Sequence, residues 1–307
     1  MNNSTDEYKS YLKVIFITVF SILLFLIPIT YKALFIDKIF SHKNLWEYQM
    51  SRLDSNPDID TLFLGDSSLR YAIDSDYFNS ISGLNSINLG LTLNHGFAGS
   101  YNVLKRAINK NQIKNVIIVN TIEILKTEIS YKGYFHSINS IDDLVSLSQN
   151  EKSKILAVIF SIFTNKDNLK KIFNFYLHKD VSLNFFTEED LRPKKEKIDL
   201  KTFQNYRAWD DRVFLRKTLF LEKIIDLCEK EGINLIYMHG PVSQTILNGS
   251  EEYVSRLNQI IGEKGLKLIS GVPEITYKKI GNKSNHISKE YRKEFTKKYF
   301  ELMKKNL

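Results

Sequence analysis

The stretch "KNVIIVNTIEIL", Lys114 to Leu125, constrains the fold more than any other part of this chain. Its β-branched run reads as a strand, and it belongs to a rhythm. Before it lie the short apolar run "DTLFLG", a second short strand candidate "SINLGLTL", and "SYNVLKRAINKNQI", in which Tyr101, Leu104 and Ile108 recur at helical spacing. After it come the helix "DDRVFLRKTLFLEKIIDLCEKEG", the strand "INLIYMHG", the helix "GSEEYVSRLNQIIGEKG", the strand "LKLIS" and a terminal helix "SKEYRKEFTKKYFELMKKN". Strands that alternate with helices pair in parallel, because each crossover helix carries the chain back to the same end of the sheet. The expectation is an α/β fold of three layers, α/β/α, with about five parallel strands.

Two segments stand outside that rhythm. Between Lys13 and Lys32 runs "VIFITVFSILLFLIPITY", uncharged and about the length a helix needs to cross a bilayer. It reads as an uncleaved anchor, since a signal peptide would have a shorter apolar region and a small-residue cleavage site, whereas "KALFIDKIF" follows here. Lysines lie on both sides of the run, so charge does not set its orientation. The second segment, about residues 127–210, is aromatic and lysine-rich, helical around "KILAVIFSIF" and "NLKKIFNFYL", and too long for an ordinary connection. It is either a helical insertion packed on the sheet or a lid or docking surface. The organisation is therefore a tail and transmembrane anchor over 1–36, a connecting helix over 37–57, and an α/β domain over 58–307 that contains the insertion.

A net charge of +8 suggests an anionic neighbour such as phospholipid or an anionic polymer. No helix-turn-helix, zinc-finger or RNA-recognition signature points to nucleic acid. The one cysteine, Cys228, lies in an apolar helical stretch and reads as a core residue. His42, His136 and His178 show no paired ligand spacing, so no metal is expected, and the absence of a Gly-rich phosphate loop argues against a nucleotide cofactor.

Polar residues gather where the apolar runs stop. Acyl chemistry by serine needs a nucleophile, a base, a group to orient the base, and N–H donors for the oxyanion. In "LFLGDSSLR" Ser67 follows the first strand, directly after Gly65 and Asp66. Gly90 follows the second strand in "NLG", Asn120 lies late in the third, and His286 in "NKSNHISKEY" precedes the last helix. A parallel sheet with these strands adjacent brings all four to one edge. Ser67 is thus the candidate nucleophile, His286 the base, and Gly90 and Asn120 the oxyanion donors; the competing reading of Asp66 and the serines is a helix N-cap. His239 ends the fourth strand at the same edge, where a histidine is more often structural, and His95 in the loop after Gly90 is a candidate pocket residue.

"FLGDSS", "NLG" and "NHISKEYRKEFTKKYF" resemble the first, second and last blocks of the SGNH (GDS-type) hydrolase superfamily. With the anchor, "HGPV" and the insertion, the chain looks most like its membrane-anchored, DltD-like and polysaccharide O-acetylation branch. That resemblance implies a flavodoxin-like α/β/α sheet, a Ser67–His286 catalytic pair and no cofactor. It also implies esterase or O-acyltransferase chemistry on a bacterial cell-surface polysaccharide or teichoic-acid-like polymer, in a single-pass protein whose C-terminal domain lies outside the cytoplasmic membrane. A membrane-bound O-acyltransferase is the partner it implies. Two positions depart from the pattern. Family members carry Asp three residues before the histidine, where this chain has Lys283 with Asn282 beside it, and Asn120 lacks the flanking Gly and Asp of the third block. Glu123, Asp66 or a backbone carbonyl are left to orient His286. A catalytically inactive accessory of the same fold, which binds a glycopolymer or docks on a membrane-bound O-acyltransferase, is the alternative.

Overall fold

In a computed structural model the described residues are 11–18, 20–21, 41–126, 131–138, 152–157 and 218–307. Most of the apolar run over 14–31 and most of the insertion at 127–210 lie outside them. Five strands, β1 (Thr61–Gly65), β2 (Ser86–Asn88), β3 (Asn115–Asn120), β4 (Asn234–His239) and β6 (Lys267–Ile269), form one sheet in the order β2-β1-β3-β4-β6, and every pairing is parallel. The α/β architecture and the parallel sheet read from the sequence are therefore present, and the arrangement is compatible with three layers. Two-residue strands β5 (Val242–Ser243) and β7 (Glu274–Ile275) make a separate small sheet, too short to leave a periodic signal in the sequence.

Side chains that alternate along the strands supply two cores. Phe63, Ile117, Val119, Ile236 and Met238 face Leu69 and Ala72 of α2 (Ser67–Ala72), Phe78 of α3 (Ser75–Ser82) and Phe295 and Tyr299 of α9 (Arg292–Met303). Leu62, Leu64, Val116 and Ile118 face the other way, onto α4 (Gly96–Ile108), α6 (Thr218–Lys230) and α8 (Glu251–Gly262). Both faces of the central strands are dry, which is why their sequences are continuous apolar runs rather than alternating ones. Cys228 on α6 is buried, and burial pushes its thiol up to about 12, so it is a packing residue.

The segment read as a connecting helix is part of this core. Helix α1 (Ser41–Ser55) buries Leu45, Trp46, Met50 and Leu53, and Gln49 donates through Nε2 to the Gly90 carbonyl at 2.8 Å. The third strand is shorter than its sequence suggests. It stops at Asn120, and Ile122–Leu125 forms a 3-10 turn, because the Thr121 N–H leaves the ladder to donate to the buried Asp66 carboxylate at 2.9 Å.

Candidate functional site

In a sheet of order β2-β1-β3-β4-β6 the chain leaves β1 and β3 in opposite directions, and the crevice at their carboxyl ends is where such folds bind ligands. Gly65 ends β1 in that crevice with φ 156°, and a Cβ there would lie 1.8 Å from the Val119 carbonyl oxygen of β3. Two residues on, α2 begins. Asp66 caps it, its Oδ1 accepting from the Ser68 N–H at 2.8 Å and from the Ser68 hydroxyl at 2.6 Å. The other carboxylate oxygen takes the Thr121 N–H. Asp66 thus ties the end of β1 to the end of β3, and three bonds occupy it. Burial raises its pKa, while the bonds from Ser68 and Thr121 and the charge of Arg70 oppose that rise.

The two serines separate here. Ser68 is fully buried, bonded to Asp66 and covered by Gly240, where a Cβ would meet Ser68 Oγ at 2.0 Å. Ser67 is half-buried, and its hydroxyl lies 2.9 Å from His286 Nε2 in a hydrogen bond. Replacement of Ser68 by Ala should therefore lower stability by about 1–3 kcal/mol, the cost of leaving a buried carboxylate short of a donor, in urea unfolding. Modification of Ser67 by a serine-directed probe should survive that change.

His286 arrives from the far end of the chain by a set of short-range ties. An antiparallel bridge joins Ile280 to Ile287, the Gly281 N–H donates to the His286 carbonyl at 2.7 Å, and the Ser288 N–H donates to the Lys279 carbonyl at 3.0 Å. The loop is anchored to β5 by the Ser243 N–H, which donates to the Ser284 carbonyl. Helix α9 then locks onto α2: Arg292 donates to the Arg70 and Ile73 carbonyls, and the Thr296 hydroxyl contacts the Ala72 carbonyl at 3.3 Å. These are the open carbonyls at the end of α2, so capping that helix also sets the histidine loop against it. The ring of Tyr71 packs on the His286 ring with centroids 4.4 Å apart.

The second ring nitrogen of His286 lies 2.7 Å from Oδ1 of Asn282. Asn282, four residues before the histidine, fills the place where the sequence resemblance led us to expect a carboxylate three residues before it. Neither other carboxylate weighed for that role bonds the ring: the bonds of Asp66 go to Ser68 and Thr121, and Glu123 sits in the 3-10 turn, where the charges of Asp66, Lys126 and Lys283 act on it. Burial first, then the positive charges of Lys283 and Arg70, push the pKa of His286 down to about 3. Burial and the nearby negative charge of Asp66 raise that of Glu123.

The remaining sequence candidates distribute unevenly. Gly90 packs on α2, a Cβ there meeting Arg70 N at 2.8 Å, but its N–H donates to Asn88 Oδ1 at 3.0 Å. The Gly90 N–H is therefore held by the protein and is not presented as an oxyanion donor. Asn88, unremarked in "NLG", also donates to the Leu69 and Ile73 carbonyls and so joins α2 to β2. Asn120 sits at the carboxyl end of β3, fully buried; among the described residues neither of its side-chain polar atoms makes a hydrogen bond of good geometry, and the Tyr237 side chain of β4 is its polar neighbour. His239 lies beside it in register on β4 and bonds Asn258 of α8 through Nε2 at 2.6 Å. His95 bonds the Thr92 hydroxyl through Nδ1 at 2.8 Å and stacks on Trp46. Both histidines are buried packing residues, and burial lowers the pKa of His239. The Ser67 N–H, at the first turn of α2, is in the class of helical N–H groups that lack an intrahelical acceptor.

No family profile matches this chain, and no curated protein matches it.

Proposed function

We propose that this chain is an SGNH-like, membrane-anchored envelope protein that uses Ser67 for esterase or O-acyltransferase chemistry on a cell-surface polysaccharide or teichoic-acid-like polymer. The observation that carries the reading is the 2.9 Å bond from the Ser67 hydroxyl to His286 Nε2 at the carboxyl edge of a parallel sheet. In the first step Ser67 Oγ forms a bond to the acyl carbonyl carbon while its proton passes to Nε2. As the tetrahedral species collapses, the carbonyl bond to the leaving oxygen breaks, and the imidazolium returns that proton to the leaving alkoxide. Water or a polymer hydroxyl then attacks the acyl-serine, giving up its proton to Nε2, and Ser67 Oγ recovers one as it departs. Hydrolysis and transfer differ only in that second acceptor.

Anchoring is supported by the uncharged run over 14–31 and by Tyr11, Leu12, Val14, Ile15, Phe16, Ile17 and Phe20, which lie exposed in helical backbone. No helix among the described residues is long and apolar enough to cross a membrane. The full chain should pellet with membranes through a high-salt wash, and a chain begun near Lys38, which keeps α1 and its core contacts, should be released. Pelleting of the shortened chain would move the membrane contact elsewhere.

The test of the chemistry is labelling of the purified protein with a fluorophosphonate probe. Labelling that disappears in Ser67→Ala supports the reading, and an unlabelled wild type refutes it. The contact of His286 Nδ1 with an amide instead of a carboxylate favours a second reading, a polymer-binding accessory; an inert wild type that binds the polymer would establish it.

A further inference from the structure

The Ser67–His286 pair is completed by a neutral group, and this inference rests on that pair being the catalytic one. We infer that Asn282 is the positioning residue of the site: its Oδ1 accepts the Nδ1–H of His286, which leaves the lone pair of Nε2 facing the Ser67 hydroxyl. A neutral imidazole carries one N–H, and the partner of one nitrogen decides which nitrogen is left as the base. An amide oxygen sets the same tautomer as a carboxylate. It differs in supplying no charge against the imidazolium formed when Ser67 loses its proton.

Asn282 is held where this contact forms. It occupies the tight loop closed by the Ile280 to Ile287 bridge, next to Gly281, whose N–H bonds back to the His286 carbonyl. The groups facing the ring are Ser67, Arg70 and Tyr71 from α2, and Asn282 and Lys283 from its own loop; Glu123, from the 3-10 turn after β3, lies within reach of the Lys283 charge and is not among the charges that act on the ring. Both charges that act on the ring are positive, and among the described residues its hydrogen bonds go to an amide and a hydroxyl, not to a carboxylate. The base is therefore neutral well below the usual histidine range. Its protonated form is scarce, so proton abstraction is slow while the pH window for it is wide.

The test is substitution of the near-isosteric acid, Asn282→Asp, in the full chain in detergent. Fluorophosphonate labelling by wild type should hold its rate from neutral pH to about pH 4, since the base stays unprotonated until its pKa is approached. Asn282→Asp should speed labelling at pH 7 by about tenfold or more and move the acid limb up by at least about one pH unit, because an adjacent carboxylate favours the imidazolium. Asn282→Ala should slow labelling while leaving the acid limb low. Nitrogen shifts of ¹⁵N-histidine protein, with His286 assigned from His286→Gln, provide a readout that needs no activity. They should show the Nδ1–H tautomer in wild type and a raised His286 pKa in Asn282→Asp. An Nε2–H tautomer in wild type, or an unmoved His286 pKa in Asn282→Asp, overturns the inference. Should wild type prove unlabelled, the catalytic reading fails, and the nitrogen shifts alone still decide whether Asn282 orients the ring.

Discussion

Ser67→Ala is expected to remove fluorophosphonate labelling and to lower any esterase or acyl-transfer rate by about 10⁴-fold or more. The expectation follows from the division of labour between adjacent serines. Ser68 has its hydroxyl on the Asp66 carboxylate, buried under Gly240, whereas Ser67 is half-buried and has its hydroxyl bonded to a histidine nitrogen. His286→Ala should cost about as much, and the double variant should be scarcely slower than either single one, because a nucleophile without its base and a base without its nucleophile fail at the same step. Steady-state kinetics on a model ester, with labelling as a parallel count of active serine, would check this. Multiplicative losses in the double variant would mean that the two side chains act separately.

Gly65→Ala should be the most damaging substitution for the fold, costing about 3–5 kcal/mol or abolishing soluble expression. Gly65 is in register with Val119, and the alanine methyl would occupy space 1.8 Å from that residue's carbonyl oxygen. The obstruction is backbone of the neighbouring strand, so no side-chain rotation relieves it. β1 and β3 must separate where Asp66 joins them, and the bond from Thr121 to Asp66 would be strained with them. Urea unfolding followed by circular dichroism measures the loss. A wild-type midpoint would show that the strands can part at this point without consequence. By contrast, alanine at Gly83 adds a methyl that meets nothing within 4 Å, and the cost there comes only from its φ of 73°.

The pattern of apolar runs was enough to read the parallel sheet. Strands such as Leu62–Leu64 and Val116–Val119 are buried on both faces, and that local composition has no other economical explanation. Ser67 and His286 were legible for a related reason, since chemistry-bearing residues stood where strands ended or the last helix began, and parallel topology gathers such ends on one edge. Hydrogen-bond partners were not legible. Asp66 could as well have been an orienting acid as a cap, and only the approach of Ser68 and Thr121 to its oxygens decides between them. Gly90 was in the expected place, but the Asn88 side chain two residues away takes its N–H. The most instructive case is the group on His286 Nδ1. The family resemblance pointed to position 283, while the turn between Ile280 and Ile287 brings Asn282 to the ring. Hydrophobic periodicity survives in the sequence because every residue of an element reports on it, whereas a hydrogen bond depends on one pair of atoms within about 3 Å, a distance set only when the whole loop is folded.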